Sequence, residues 1–123
     1  LGGCSLSLRT FRPAIIGFVQ IVREKHPDTP LAVISPIYAP QYETAKNPVE
    51  LNLRIMRQEV AAAVDTLQAH GDRHIHYIDG LRLFGPDISN WDDLVPDGLH
   101  PNADGYKALA EHFLKKVAPK LFV

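Results

Sequence analysis

The stretch LAVIS at residues 31–35 is a short, mostly apolar run that lies between two prolines. A run of this kind is typical of a strand buried on both faces rather than one that is half exposed. A second run, HIHYI at residues 74–78, predicts another strand, which Asp79 and Gly80 end. Because helical patterns alternate with these runs, we expect right-handed crossovers and a parallel α/β sheet.

Helical patterns lie before, between and after the two strands. Residues 11–26 repeat apolar side chains at helical spacing, with Thr10 as the predicted N-cap and Pro27 as the stop. One helical turn is expected near residues 81–84 within a long loop. Asn102 is the predicted N-cap of a last helix, whose apolar positions repeat at three and four residues.

The helix between the two strands carries the most complete set of end signals. Asn47, Pro48 and Glu50 are the expected N-cap, first-turn proline and capping-box acid. His70 and Gly71 mark the expected end, where glycine suits the left-handed C-cap. The predicted core stripe of this helix consists of Leu53, Met56, Val60, Ala63, Val64 and Leu67.

Length and strand number together limit the architecture. The 123 residues, 46% of them hydrophobic, are enough for one domain and too few for two, so residues 1–123 are expected to form a single domain. Two strands are fewer than the about four to six of an ordinary sheet. We therefore expect this chain to be the C-terminal portion of a doubly wound domain, or to take strands from a partner chain.

Composition excludes several classes of function. Thirteen basic and fourteen acidic residues give a net charge of −1, which argues against nucleic acid or an anionic membrane as partner. The single cysteine, Cys4, excludes an intrachain disulfide framework and a Cys-rich zinc site. No apolar run approaches the roughly 18 residues that span a bilayer.

The run DGLHPNADGY at residues 97–106 is the most informative part of the chain. It places Asp97 three residues before His100, in a loop that enters a helix. Such a turn can bring the carboxylate to Nδ1 of the imidazole and leave Nε2 free to take a proton from a nucleophile. Asp97 and His100 are therefore the candidate orienting acid and general base of a hydrolase.

This run resembles the final block of the SGNH, or GDSL-type, family of serine esterases and acyl hydrolases, an Asp-x-x-His-Pro-Asn-x-x-Gly-Tyr motif that opens the last helix. The order of helices and strands upstream is similar to the latter part of that family's fold. The resemblance implies a flavodoxin-like, three-layer α/β/α domain that here lacks its N-terminal strands. It also implies hydrolysis or acyl transfer on a small-molecule ester, with neither a metal nor an organic cofactor.

The family's nucleophile, a serine in a Gly-Asp-Ser-Leu segment, has no intact counterpart here. The nearest sequence is GCSL at residues 3–6, with cysteine in place of aspartate. The resemblance therefore implies that the serine comes from an upstream segment or a partner chain, and Ser5 is the second choice. Gly2 or Gly3 would fall near the oxyanion site, but no oxyanion or substrate-binding residue is assigned.

Simpler interpretations stay open for several of these residues. Asp97 and His100 can form an exposed loop ion pair of little energetic value. The pair His74 and His76, with Asp79 nearby, can be read as metal ligands or as buried histidines, and the second is the more common outcome. The chain as a whole can also be a non-catalytic fragment or binding module.

Three further side chains have two possible roles. Trp91 and Tyr38 can line an acyl or sugar pocket or cover the edge of a core. Ser35 ends a strand but precedes proline and lacks a nucleophile-elbow glycine pattern, so it is interpreted as structural. The acidic residues of the long loop are interpreted as solvated carboxylates, whose charge would favour neutral esters over polyphosphates.

Overall fold

A computed structural model of the chain describes residues 5–122. Over that range helices alternate with two strands, which confirms the predicted α/β order. Short helices also occur within the predicted long loop and after the last predicted helix, where the sequence predicted no helix. The elements are α1 (Leu8–Arg23), β1 (Leu31–Ile34), a 3-10 turn (Pro40–Tyr42), α2 (Leu53–Ala69), β2 (Ile75–Ile78), α3 (Gly80–Leu83), α4 (Trp91–Leu94), α5 (Ala103–Lys116) and α6 (Ala118–Leu121).

The strands β1 and β2 pair in parallel, with Leu31 opposite Ile75 and Ile34 opposite Ile78. Helix α2 makes the crossover between them, and α1 packs against α2. The apolar stripes of both helices and one face of the strand pair form the core. Its buried members there are Phe11, Val19, Leu51, Val60, Val64, Leu67 and Ile75.

The prediction that the first strand is buried on both faces is wrong within the described residues. Three of the four residues of β1 are half-buried, and Ile34 is 45% exposed. The reason is that α1 and α2 supply apolar side chains to one face only, and no third strand pairs with β1 or β2 within residues 5–122. The class is α/β, with a two-stranded parallel sheet in this part of the fold.

Helix α1 begins earlier than predicted. Ser7 is its N-cap, and the Ser7 amide donates to the Oγ1 of Thr10 at 2.9 Å. Thr10, the predicted cap, therefore lies in the first turn and completes a reciprocal capping interaction. The helix ends at Arg23 rather than at residue 26, although the amide of His26 still donates to the carbonyl of Val22.

The predicted start of α2 is also wrong, because the sequence offers two asparagines as N-cap and the prediction took Asn47 instead of Asn52. Asn52 is the N-cap, and its Oδ1 accepts from the amide of Ile55 at 2.8 Å. Asn47 instead accepts the amides of Val49 and Leu51 and closes a turn before the helix. Glu50 lies in that turn with a φ of 66°. The predicted end is confirmed, since His70 is the C-cap and Gly71 has a φ of 102°.

The carboxyl ends of β1 and β2 meet at what we call the strand-end junction, formed by Ser35, Tyr77 and Gly80. Ser35 is 2% exposed, and its Oγ accepts from the amide of Gly80 and hydrogen-bonds the hydroxyl of Tyr77, both at 3.0 Å. A Cβ on Gly80 would overlap the carbonyl oxygens of Ser35 and Pro36. Glycine is therefore required here by close approach of the two backbones.

The C-terminal half follows the predicted end signals. Asp79 caps α3 by accepting the amide of Leu81 at 3.0 Å. Asn102 caps α5, as predicted, by accepting the amide of Gly105 at 2.9 Å. A cluster around Phe84, Leu94 and Val95 joins the loop between α3 and α5 to the rest of the fold. None of the helices among the described residues is long and apolar enough to cross a bilayer.

Candidate active site

Residues 97–100, which we call the 97–100 turn, bring the carboxylate and the imidazole together. The Nδ1 of His100 lies 2.7 Å from Oδ2 of Asp97. The other carboxylate oxygen, Oδ1, accepts the amides of Leu99 at 2.8 Å and His100 at 2.7 Å. Gly98 has a φ of 77°, a conformation in which a side chain is strained. All of these contacts form within four consecutive residues.

These hydrogen bonds fix the charge state of the acid. The backbone amide of His100, its ring and the amide of Leu99 together lower the pKa of Asp97 from 3.8 to about 2. Asp97 is therefore a carboxylate at neutral pH and only accepts hydrogen bonds. A neutral His100 must then carry its proton on Nδ1, which leaves the lone pair on Nε2. That tautomer is the one a general base requires.

The position of the turn is set by the start of α5. The backbone amide of Asn102 donates to the carbonyl of Leu94 at 2.8 Å, and the side-chain amide of Asn102 donates to the carbonyl of Asp93 at 2.8 Å. Pro101, between the turn and Asn102, is buried. The turn is thus held at its C-terminal end by Pro101 and Asn102. The side chains of His100 and Asp97 remain 71% and 55% exposed.

One side of the turn faces the segment that follows β1. The side-chain amide of Gln41 lies against Gly98, 3.4 Å from where a Cβ would stand. In the same segment, the ring of Tyr38 packs edge-on against Trp91, with centroids 5.8 Å apart. Trp91 in turn packs on the cluster around Phe84, so the aromatic pair covers the edge of that core.

Comparison with known proteins identifies the family of this chain. Residues 3–108 match the sequence model of the GDSL-like lipase/acylhydrolase family. The chain belongs to this family. No curated protein matches the chain significantly.

Two solved structures resemble this GDSL-like chain. One is a salicylyl-acyltransferase from a tetracycline biosynthetic pathway, with 32% identity and a TM-score of 0.78 over 94% of this chain and 34% of the other. The second is described as a GDSL-like lipase from Bacteroides ovatus, with 20% identity and a TM-score of 0.69 over 94% of this chain and 33% of the other. The second likeness concerns the fold alone. The chain spans about a third of the length of each neighbour.

The residues of the metal alternative are not brought to one point in this GDSL-like chain. The Nε2 of His74 lies 3.8 Å from Oδ1 of Asp28, at the amino end of β2. Asp79, at the other end of the strand, caps α3. Residues 5–122 hold no group of three or more His, Cys, Asp or Glu side chains suited to a metal ion.

The serines of the chain differ in their surroundings. The hydroxyl of Ser35 is buried in the strand-end junction, in keeping with the structural role expected from the sequence. Ser5 is exposed at the start of the described range. The glycines considered for the oxyanion site, Gly2 and Gly3, lie outside the described residues.

Sequence reasoning missed a buried ion pair that holds the segment after β1. Arg57 lies on α2, is 8% exposed and binds both carboxylate oxygens of Glu43 at 2.7 Å. A signal for it was present, because Arg57 stands four residues after Leu53 and three before Val60, within the apolar stripe of the helix. A charge on a buried face needs a partner of opposite charge.

Proposed function

We propose that this chain carries the general base and the orienting acid of a serine-dependent ester hydrolase or acyltransferase, within a flavodoxin-like domain. His100 takes a proton through Nε2, and Asp97 fixes the tautomer and stabilises the imidazolium. The observation that carries this proposal is the 2.7 Å contact between Nδ1 of His100 and Oδ2 of Asp97, with Oδ1 held by two backbone amides.

The chemical steps balance without a cofactor. The serine hydroxyl attacks the ester carbonyl and gives its proton to Nε2 of His100. The imidazolium then protonates the departing alcohol as the acyl-enzyme forms. Water, or an acceptor alcohol in a transferase, attacks the acyl-enzyme and repeats the proton transfer in reverse. The serine is released with its proton, and His100 is neutral again.

The nucleophile is proposed to be a serine supplied by an upstream segment or a partner chain. The exposure of His100 supports this, because 71% of its side chain is available to a further stretch of polypeptide. Ser5 is the second choice. The substrate is proposed to be a small neutral ester, and the 32% identity to a salicylyl-acyltransferase supports acyl transfer as well as hydrolysis.

A non-catalytic binding module is the alternative. Its support is the same exposure, since an exposed pair of this kind contributes little by itself. Mutation separates the two functions, because only an enzyme depends on the chemistry of the imidazole.

The decisive experiment uses the natural full-length polypeptide that contains this chain, with p-nitrophenyl acetate as substrate. We expect His100→Ala to lower kcat by about 10⁴-fold or more, because the members of a catalytic triad act as a unit. His26→Ala, in the turn after α1, is the matched control and is expected to retain the activity. An active wild type with an equally active His100→Ala variant would contradict the proposal.

A labelling experiment identifies the nucleophile. A fluorophosphonate reacts with an activated serine and leaves an adduct that peptide mass spectrometry locates. We expect the adduct on a serine outside residues 5–122, and its loss in the His100→Ala variant. An adduct on Ser5 would support the second choice.

A further inference from the structure

The segment at residues 36–43, which we call the 36–43 segment, is held by one buried side chain. The Nε of Arg57 donates to the carbonyl of Pro36 at 2.8 Å, and its Nη2 donates to the carbonyl of Ile37 at 3.2 Å. The same guanidinium binds both oxygens of Glu43 at 2.7 Å. Arg57 thus ties the beginning and the end of one loop to α2 through a single planar group.

Further contacts fix the middle of the segment. The amide of Tyr38 donates to the carbonyl of Phe84 at 2.9 Å. Ala39 is 2% exposed, and its amide donates to Oε1 of Glu43 at 3.2 Å. A loop held in this way contrasts with an ordinary surface connection, which is mobile. The buried charge of Arg57 therefore forms four hydrogen bonds to one loop.

Glu43 stays ionised in this arrangement. Burial raises the pKa of Glu43, but the hydrogen bonds from Arg57 and from the amide of Ala39, with the charges of Arg57 and Arg54, lower it further than burial raises it. The pair is therefore charged at neutral pH. A neutral or absent partner would leave the other charge buried and uncompensated.

The fixed segment reaches the turn that carries the proposed base. It follows the carboxyl end of β1, where parallel α/β sheets form their ligand sites. Gln41, exposed at its tip, lies against Gly98 of the 97–100 turn. Because Arg57 and Glu43 are themselves largely buried, their influence on a ligand at His100 must pass through the segment.

We propose that Arg57 and Glu43 are positioning residues that hold the 36–43 segment as a wall of the ester site, with Gln41 against Gly98 in the turn that carries His100. This wall selects which acyl groups fit. The proposal rests on the ester chemistry proposed above. The hydrogen bonds of the 97–100 turn are all local, so displacement of the wall leaves the base intact and changes the fit of the substrate.

The test compares two arginines that each bind both carboxylate oxygens of a glutamate, one arginine buried and the other exposed. In Arg57→Lys the charge stays, but an ammonium has three N–H donors on one nitrogen and cannot reproduce the four hydrogen bonds of the guanidinium. Arg12→Lys is the matched control, because Arg12 binds both oxygens of Glu59 at 2.7 and 2.8 Å but is far more exposed. Both are made in the full-length polypeptide. KM and kcat are measured for p-nitrophenyl acetate, butyrate and octanoate, and amide exchange is followed by mass spectrometry.

We expect Arg57→Lys to raise KM for the octanoate by about tenfold with kcat within about twofold, a loss of binding without a loss of base function. Amide exchange in residues 36–43 should become faster, while the control changes neither quantity. A lower kcat at constant KM for all three esters, with the folded fraction unchanged, would mean that Arg57 affects the chemical step and not the fit of the acyl group, and would overturn the proposal. Faster exchange with an unchanged acyl preference would overturn it as well.

A second variant keeps the test decisive if Arg57→Lys folds poorly. Gln41→Ala removes an exposed side chain, so the fold is retained, and we expect a change in acyl preference without faster exchange. An unchanged preference in this variant would contradict the proposed wall. These failures differ from failure of the proposed function, in which activity survives His100→Ala and this assignment is lost with it.

Discussion

The 97–100 turn and the strand-end junction use hydrogen bonds in opposite ways. In the turn, Asp97 accepts backbone amides from residues two and three positions away, and the side chains of Asp97 and His100 are largely exposed. In the junction, Ser35 receives the amide of a residue 45 positions away and is 2% exposed. The first arrangement orients an exposed imidazole, whereas the second holds two strands together. Mutations at the two places should therefore fail in different ways.

After His100→Ala, the largest effect is expected for Asp97→Asn. The amide can still accept at Oδ1, but its other group donates and opposes the Nδ1 proton of His100, so the wrong tautomer is favoured. We expect kcat to fall by about 10³-fold or more in the full-length polypeptide. The urea midpoint should change little, because the carboxylate is exposed. Activity near that of the wild type would remove the acid's assigned role.

Gly80→Ala tests the junction in the same polypeptide. The added methyl group overlaps two backbone carbonyl oxygens, so we expect a loss of about 3 kcal/mol in the free energy of unfolding. Gly17→Ala in α1 is the control, because its Cβ meets nothing within 4 Å, and it should be neutral or stabilising. Equal urea midpoints for the two variants would show that the junction is not closely packed.

Gly98→Ala lies between the two cases, because it strains the turn without burying anything. A side chain at a φ of 77° costs about 1 kcal/mol, and the new Cβ would come into van der Waals contact with the side chain of Gln41. We expect a small drop in unfolding free energy together with a clear loss of kcat. Gly98→Asn is the comparison, since asparagine tolerates this conformation better, and a greater loss for Asn than for Ala would argue against backbone strain.

The smallest effect concerns acid pH. The folded state lowers the pKa of Asp97 from 3.8 to about 2. A lowered pKa stabilises the folded state above the unfolded pKa, and this contribution is lost as pH falls through about 2. Carbon-13 NMR of the Asp97 carboxyl group should give a midpoint near 2. A midpoint at 3.8 or above would mean that the two backbone donors do not hold the carboxylate in solution.

The same contrast explains what the sequence could predict. The pairing of Asp97 with His100 and the cap at Asn102 join residues three positions apart, so the spacing in the sequence was enough to predict both. The start of α2 was misplaced because Asn47 and Asn52 both have the chemistry of a cap, and only the tertiary position of the chain decides between them. The strands were identified from apolar runs, but their one-sided burial depends on what covers the sheet.

Contacts between distant residues left weaker traces. Glu43 and Arg57 are separated by a turn and the start of a helix, and nothing in the spacing pairs them. Arg57 within an apolar stripe was the one available signal. No sequence pattern predicted the contact of Gln41 with Gly98. This contact joins two loops, and their approach depends on the sheet and on the buried Arg57.

The separation of Ser35 and Gly80 along the chain also bears on how the molecule forms. A turn whose ends are three positions apart closes quickly. The junction forms only after residues 45 positions apart have met and α2 has docked. During refolding, the pairing of His100 with Asp97 is therefore expected early, and the meeting of the two strand ends late.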